Sequence, residues 1–301
     1  MKKPLNPRLM LMAAMAIFGT LGPFVRNIPV TSGELALYRA ILAATLIGVF
    51  LLVTKQKIPF ASIKKELLLL LLSGMAMGFN WILLFEAYKY TTVSIATLSY
   101  YFAPVLVTAA STVLFREKLT AKQVICFIMS TVGIVMVTGI GQLAAGGKNA
   151  IGILFGLGAA VLYAVCILIN KFIKNVEGIH RTFLQFLAAI LVVSPYVLLT
   201  SGITLGNMDA LGWMNLLIVG LFHTGVTYCM YFTALKYVTG QQVAILSYID
   251  PLVAVIISVT VLGESMTAPQ LLGGALILGF TLWNEITPKK KAKEESPCSG
   301  K

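Results

Sequence analysis

The chain has 301 residues, of which 58% are hydrophobic and only 11% are charged, and its mean hydropathy is +0.90. Because a soluble domain carries about a quarter charged residues, this composition excludes a water-soluble globular enzyme. The formal net charge is +12. The positions of the basic residues along the chain distinguish a nucleic-acid-binding surface from a membrane-topology signal.

Apolar runs recur along the whole chain at the length that crosses a bilayer as a helix, roughly 20 residues. The predicted spans are 9–26, 33–54, 66–88, 93–115, 122–141, 150–171, 180–201, 211–235, 240–262 and 268–286. The first resembles a signal peptide, but it is long and nine more follow, so we interpret it as an uncleaved helix. We therefore predict an all-α membrane protein with ten transmembrane helices.

The basic residues indicate a topology. With the N-terminus in the cytoplasm, 19 of the 23 Lys and Arg residues fall on the inner side and three on the outer side. This is the positive-inside bias. It predicts a multi-pass protein of the cell (inner) membrane with both termini cytoplasmic, and a disordered basic tail, 288–301, that faces anionic lipid. The charge does not indicate nucleic acid as a partner.

Two passages of the sequence are nearly the same: EAYKYTTVSIATLSYYFAP, which ends at Pro104, and TALKYVTGQQVAILSYIDP, which ends at Pro251. A shift of 147 residues aligns 86–128 with the second half without a gap, and 11 of these 43 positions are identical. The identities include Lys, Tyr, Pro, Glu and Gln, which apolar bias does not supply. We interpret the match as a duplication.

The duplication divides the spans into two five-helix repeats, 1–145 and 146–287. Because five is odd, the second repeat is predicted to enter the membrane inverted. The loop charges agree, since the loop around Glu117 is basic and the one around Glu264 has no Lys or Arg. Inverted repeats around a midplane site are the architecture of secondary transporters. A channel or a non-transporting scaffold is the alternative.

The two five-helix halves, the KY turns, the proline-containing helices and the segments REKLTAKQ and GESMTAPQ resemble the EamA type of the drug/metabolite transporter superfamily. The resemblance covers essentially the whole chain. It implies a secondary exporter of small metabolites, often amino acids or related compounds. We expect no cofactor, because no phosphate-loop or metal-site motif occurs in the sequence.

One face of the fourth span carries polar residues at helical spacing. They are Ser94, Thr97, Tyr101, Pro104, Thr108 and Ser111. A proline inside a span removes a backbone hydrogen bond and bends the helix, so Pro104 and Pro251 are predicted where helices bend around a polar cavity. Tyr101 and Tyr248, on the repeated face, and Thr97 are candidate substrate contacts. The alternative is that the hydroxyls bond to their own or a neighbouring helix.

Ionisable groups inside a bilayer are functional candidates because burying them is costly. Asp250 and His223 are both predicted near the midplane. Asp250 could bind an ammonium group, carry a coupling proton or pair with a cation, and His223 could titrate near neutral pH or bond a neighbouring hydroxyl. Arg39 could hold a carboxylate or extend to the outer surface.

The third span contributes two further candidates. Asn80 and Trp81 follow the GMAMG sequence and could line the cavity. The glycines of GMAMG and of GILFG are predicted to allow close helix contact instead. A cavity with Arg39, Asp250 and aromatic rings would suit a zwitterion.

Other chemistries find little support. The sequence has two distant histidines and no Cys/His spacing typical of a metal site, and no nucleophile–base motif indicates an enzyme. Alternative substrates are an organic cation or drug and a nucleotide-sugar or sugar phosphate. Phosphorylated substrates would want several cavity cations, whereas Arg39 alone lies inside a span. The expected partners are a small-molecule substrate, the lipid bilayer and, as a possible coupling ion, the proton.

Overall fold

The computed structural model describes residues 6–56, 60–114, 120–138, 147–176, 178–235, 237–238, 243 and 246–285. Within these ranges all regular structure is helical, and no strand occurs. The helices are α1 (Pro7–Gly19), α2 (Leu21–Arg26), α3 (Ser32–Val53), α4 (Phe60–Tyr90), α5 (Val93–Tyr100), α6 (Ala103–Leu114), α7 (Ala121–Thr138), α8 (Lys148–Phe172), α9 (Gly178–Thr200), α10 (Ala210–Leu217), α11 (Thr227–Leu235), α12 (Ile249–Thr260) and α13 (Ala268–Glu285). A 3₁₀ turn, Leu205–Asn207, precedes α10, and a π-helix, Ile218–Val226, joins α10 to α11.

Seven helical stretches of the described chain are long and apolar enough to cross a membrane. They are Pro7–Arg26, Ser32–Val53, Ile63–Tyr90, Val93–Ser111, Lys148–Phe172, Gly178–Thr200 and Ala210–Leu235. The protein is therefore an all-helical, multi-pass membrane protein. The shorter apolar helices α7 and α12, together with α13, overlap the other three predicted spans. Because these three are not among the seven, the count of ten crossings stays a prediction, as does the tail after residue 287, which lies outside the described residues.

Several spans are interrupted rather than continuous. Thr20 separates α1 from α2, and the turn Tyr101–Phe102 separates α5 from α6. The eighth predicted span contains the π-helix. Helix breaks in membrane proteins are tolerated where protein or a polar cavity satisfies the backbone, and π-helical turns are frequent at functional sites. We therefore expect a functional site near these interruptions.

The two repeated prolines lie just after such breaks. Pro104 is the second residue of α6 and Pro251 the third of α12. In the first turn of a helix the backbone N–H has no intrahelical partner, so proline costs little there. The expected bends are thus close to both prolines, but the expectation of proline inside a continuous bent helix was wrong. Tyr101–Phe102 and the turn at Tyr248 make the bends.

Close helix contacts occur at the glycines of the GMAMG and GILFG sequences. A Cβ on Gly74 would lie 2.5 Å from the Ala188 Cβ, and one on Gly156 would lie 2.9 Å from the Ser99 Cβ. These glycines therefore bring α4 against α9 and α8 against α5, which confirms the predicted role.

Replacing Gly74 by alanine is expected to lower the free energy of unfolding by about 1–3 kcal/mol, the usual cost of overpacking. Gly279→Ala is the matched control, because nothing lies within 4 Å of a Cβ at Gly279. Thermal unfolding in detergent would measure both variants. Equal melting temperatures for the two would contradict the packing assigned to Gly74.

Candidate functional site

Tyr101 and Asp250 meet at the breaks that precede α6 and α12. The Tyr101 hydroxyl donates a hydrogen bond of 2.7 Å to Asp250 Oδ2. Asp250 is half-buried in the first turn of α12. Its Oδ1 accepts no hydrogen bond from the residues that the structure describes. One carboxylate oxygen is thus held by the protein, and the other is available to a ligand.

Arg39 is buried in α3, where it is 4% exposed. Its Cζ lies 4.5 Å from the centroid of the Trp81 ring and 5.5 Å from that of Phe85, a cation–π arrangement. Its Nε donates a hydrogen bond of 2.7 Å to Thr224 Oγ1. The side chain therefore packs inside the bundle and does not extend to the outer surface.

The two terminal nitrogens of Arg39 donate no hydrogen bond within the described parts of the chain. A guanidinium presents its N–H groups as a planar fork that matches the two oxygens of a carboxylate. Because Nε is fixed by a protein acceptor, the terminal nitrogens are oriented for a ligand. Arg39 can therefore hold an anionic group in a defined orientation.

Thr224 orients Arg39 and was not predicted from the sequence as a site residue. It lies in the π-helix, where its hydroxyl donates to Val219 O at 2.8 Å and accepts from Arg39 Nε. Its signal in the sequence was weak, because a threonine in a membrane helix most often bonds only to its own backbone. The contact with Arg39 comes from tertiary packing across 185 positions of sequence.

Thr224→Val is expected to weaken substrate binding roughly 10-fold, because it leaves the Nε of a buried cation without its acceptor. Thr224→Ser keeps the hydroxyl and is the matched control. Substrate concentration dependence in proteoliposomes would give the apparent affinity of each variant. Unchanged affinity in Thr224→Val would contradict the orienting role.

Arg39 and Asp250 do not pair directly within the described structure, since each bonds a neutral hydroxyl. A short series of contacts links them: Thr224, which bonds Arg39, follows His223, and His223 contacts Thr20, whose neighbour Gly19 packs against Asp250. The Tyr100 ring centroid is 5.9 Å from that of Tyr101. The site therefore combines a cation, a carboxylate and aromatic rings.

His223 bonds a neighbouring hydroxyl, one of the alternatives considered from the sequence. Its Nε2 lies 2.9 Å from Thr20 Oγ1, its Nδ1 lies 3.3 Å from Ile218 O, and its ring centroid is 4.8 Å from that of Phe24. The residue is 2% exposed. His223 thus joins the π-helix to the break between α1 and α2.

The break at Thr20 also adjoins Asp250. A Cβ on Gly19, the last residue of α1, would lie 2.5 Å from the Asp250 carbonyl oxygen. The interruptions at Thr20, at Tyr101 and before α12 therefore meet at one residue, Asp250. This convergence brings His223, Tyr101 and Asp250 into one region, with Arg39 near it.

The other predicted site residues divide into two groups. Tyr248 is 6% exposed, and its ring centroid lies 6.5 Å from that of Tyr101, so it adjoins the Asp250 pair. Asn80 instead donates a hydrogen bond of 2.6 Å to Ala159 O, which ties α4 to α8. Thr97 lies 3.4 Å from the Tyr88 hydroxyl. The contacts of Asn80 and Thr97 are packing contacts between helices.

A cavity of about 470 Å³ opens beside Arg39. Its lining is Val25, Arg26, Ile28, Val30, Ser32, Leu35, Phe85, Tyr88 and Lys89. Phe85 is also in contact with the Arg39 guanidinium, and Leu35 lies one turn before Arg39 on α3. The cavity therefore lies at the end of the bundle that carries Arg26 and Lys89, and one of its lining residues, Phe85, separates it from Arg39. In the described residues, no group of three or more His, Cys, Asp or Glu side chains could hold a metal ion.

These features define a multi-pass helical membrane protein with a polar, aromatic-lined site at helix breaks. The model of the EamA-like transporter family matches the chain twice, over residues 7–139 and 150–284. The chain belongs to this family. The sequence resemblance to EamA-type transporters is confirmed.

Similar proteins carry transporter names. A Bacillus subtilis (strain 168) protein named "Uncharacterized transporter YxxF" is 29% identical over 265 residues, which cover 88% of this chain and 84% of that protein. An Archaeoglobus fulgidus protein named "Uncharacterized transporter" is 29% identical over 202 residues, 66% of this chain and 70% of that one. A crystal structure at 17% identity covers 93% of this chain and 97% of its own with a TM-score of 0.63, a likeness of fold.

Proposed function

We propose that this protein is a secondary-active transporter that exports amino acids or similar small metabolites by alternating access through a midplane cavity between its two repeats. Family membership supports a membrane transporter. The single observation that carries the finer proposal is the combination of Arg39 and Asp250 in one aromatic-lined region, each with unoccupied hydrogen-bonding capacity. We propose transport and not catalysis as the activity.

A zwitterion fits this combination of charges. Its carboxylate would bind the terminal nitrogens of Arg39, and its ammonium group would bind Asp250 Oδ1. Buried charges are costly unless they are paired, so a ligand that supplies both counter-charges gains more than one that supplies either. A phosphorylated substrate would leave Asp250 facing a second negative charge, which disfavours it.

The membrane arrangement is part of the proposal. We place the protein in the cell (inner) membrane with both termini cytoplasmic and the two repeats inverted, as the distribution of Lys and Arg favours. The cavity beside Arg39 is lined by Arg26 and Lys89, two of the three basic residues expected on the outer side. In this arrangement the cavity is the outer vestibule through which an exported substrate leaves. Protons are the proposed coupling ion.

An efflux screen tests the proposal. Cells that overexpress the protein are compared with cells that carry an empty vector, and metabolites that accumulate outside only the former are identified. We expect amino acids or related zwitterions. Purified protein in liposomes should then move the labelled compound, and Arg39→Ala combined with Asp250→Ala should abolish that movement. Wild-type transport by the double variant would reject the proposed site.

A further inference from the structure

Two contacts join the first half of the chain to the second at opposite ends of the bundle. At one end Arg26, the last residue of α2, forms an ion pair with Glu264, which follows α12. At the other end Lys171, in the last turn of α8, donates a hydrogen bond of 3.0 Å to Ser111 Oγ in α6. We name the first the outer clamp and the second the inner clamp.

The outer clamp is bonded to three parts of the chain. The Glu264 carboxylate accepts hydrogen bonds from the Val93 backbone N–H, at 2.9 Å, and from the Ser258 hydroxyl. Arg26 also donates to Thr91 O at 2.7 Å. The Glu264 side chain is only 8% exposed. One buried carboxylate thus holds together the ends of α2 and α12 and the start of α5.

The two clamps correspond to each other in the repeat. Ser111 and Ser258 are identical positions under the 147-residue shift, and Arg26 and Lys171 end the first span of their respective repeats. In the inner clamp Lys171 bonds Ser111 directly, whereas in the outer clamp Arg26 and Ser258 are joined through Glu264. Glu117, the counterpart of Glu264, lies outside the described residues, and we define the inner clamp by the hydrogen bond from Lys171 to Ser111.

The clamps flank the candidate site. Along α12, Ser258 lies two helical turns from Asp250, about 12 Å at 1.5 Å per residue. Along the fourth predicted span, Ser111 lies ten residues from Tyr101, on the other side of the Tyr101–Asp250 hydrogen bond. A path from the site to either end of the bundle along these helices passes one clamp.

We propose that the outer and inner clamps are the two gates of the transport cycle, and that breaking one shifts the protein toward the conformation open at that end. The proposal rests on the transport function proposed above. A shift in a two-state equilibrium changes both states in opposite senses. Breaking the outer clamp must therefore raise outer access and lower inner access, and breaking the inner clamp must do the reverse. A clamp that only stabilises the fold would not produce opposite changes.

Single cysteines report access on each side. The four native cysteines are first replaced by serine or alanine. Ala254→Cys places a thiol one turn from Ser258 toward Asp250, at a site that is 4% exposed. Val107→Cys places one a turn before Ser111. Labelling by a membrane-impermeant thiol reagent is then measured in vesicles of both orientations, without substrate.

We expect Glu264→Gln to speed labelling of Ala254→Cys from the outer side by about 5-fold or more, at the low end of typical coupling between sites, and to slow labelling of Val107→Cys from the inner side. Lys171→Gln should do the opposite. Arg26→Gln is a second outer variant that leaves the Glu264 bonds to Val93 and Ser258 in place, and it should match Glu264→Gln in direction.

Glu86→Gln is the matched control. It removes the carboxylate that pairs with Lys89, at 3.2 Å, and accepts a hydrogen bond from Ser32. Both partners belong to the first repeat, so both labelling rates should stay unchanged. Rates that move together in Glu264→Gln and Arg26→Gln, or do not move, would overturn the proposal. Labelling needs no substrate, so the two proposals are tested separately. A negative labelling result would contradict the gates without contradicting transport, and a negative transport result would not change the labelling rates.

Discussion

Arg39→Lys is expected to reduce substrate affinity by at least about 100-fold while leaving the protein folded. Lysine keeps the positive charge but cannot bond Thr224 and present two parallel donors to a carboxylate at the same time. Loss of one partner in a buried charge pair costs about 2–5 kcal/mol, which spans this factor. Arg39 also stacks on Trp81, and lysine does not reproduce that planar contact. Concentration-dependent uptake by proteoliposomes would measure the change.

Trp81→Phe is the companion to this variant. It keeps an aromatic face beneath Arg39 but a weaker one, since tryptophan gives the strongest cation–π contact. We expect a loss of affinity of a few-fold, well below that of Arg39→Lys. Equal losses in the two variants would mean that the shape of the pocket, and not the guanidinium fork, determines affinity. Wild-type affinity in Arg39→Lys would reject Arg39 as the carboxylate site.

Asp250→Asn is expected to abolish transport of zwitterions. Asparagine has nearly the same shape and can still accept the hydrogen bond from Tyr101, but it carries no charge to pair with an ammonium group. Charged hydrogen bonds of this kind contribute about 1.5–3 kcal/mol each, and the unpaired ammonium group adds a desolvation cost. Together these terms predict a loss of about 100-fold or more in the rate of labelled amino acid uptake at low concentration.

Tyr101→Phe provides the matched comparison for Asp250. It removes the hydroxyl that holds Oδ2 and leaves the charge, so we expect a smaller loss, roughly 10-fold. If Asp250 instead carries a coupling proton, Asp250→Asn would keep exchange of substrate across the membrane and lose only the substrate-dependent pH change. Substrate exchange at the wild-type rate in Asp250→Asn would therefore contradict the proposal that Asp250 binds the ammonium group of the substrate.

The sequence predicted the class of fold well because the bilayer imposes a strong local signal. Apolar runs near 20 residues located every helix that the structure describes, to within several residues at their ends. The interruptions were harder. Thr20 and the π-helix at Ile218–Val226 have no distinctive local composition, because a broken helix and a continuous one both present apolar residues to lipid.

The candidate site was predictable in part because it lies in the duplicated passage. Tyr101 and Tyr248 were found by their repetition, and Asp250 by the cost of a carboxylate within a span. The hydrogen bond between Tyr101 and Asp250 was not predicted, since it depends on how two distant helices pack. The direction of the Arg39 side chain was also not predictable, because its position in the span is compatible with a buried or a surface-directed side chain. In the structure it packs on Trp81 inside the bundle.

Glu264 is one of the repeated positions of the sequence, with Glu117 as its counterpart. Its ion pair with Arg26 had no sequence signal, because the two residues are 238 positions apart and occupy different repeats. By contrast, Glu86 and Lys89 are three positions apart on a helix, a spacing that favours a local pair, and they form one. Short-range pairings follow from helix geometry, whereas the contacts that join the two halves do not.

Counterflow measurements show whether one enclosed site, formed by Arg39 and Asp250, serves both sides of the membrane in turn. Liposomes are loaded with an unlabelled substrate from the efflux screen, and uptake of the labelled compound is followed over a range of concentrations. For a carrier with one alternating site, we expect uptake that saturates, is accelerated by internal substrate and is lost in Arg39→Ala. Uptake that rises linearly with concentration and ignores internal substrate would contradict it and indicate a channel.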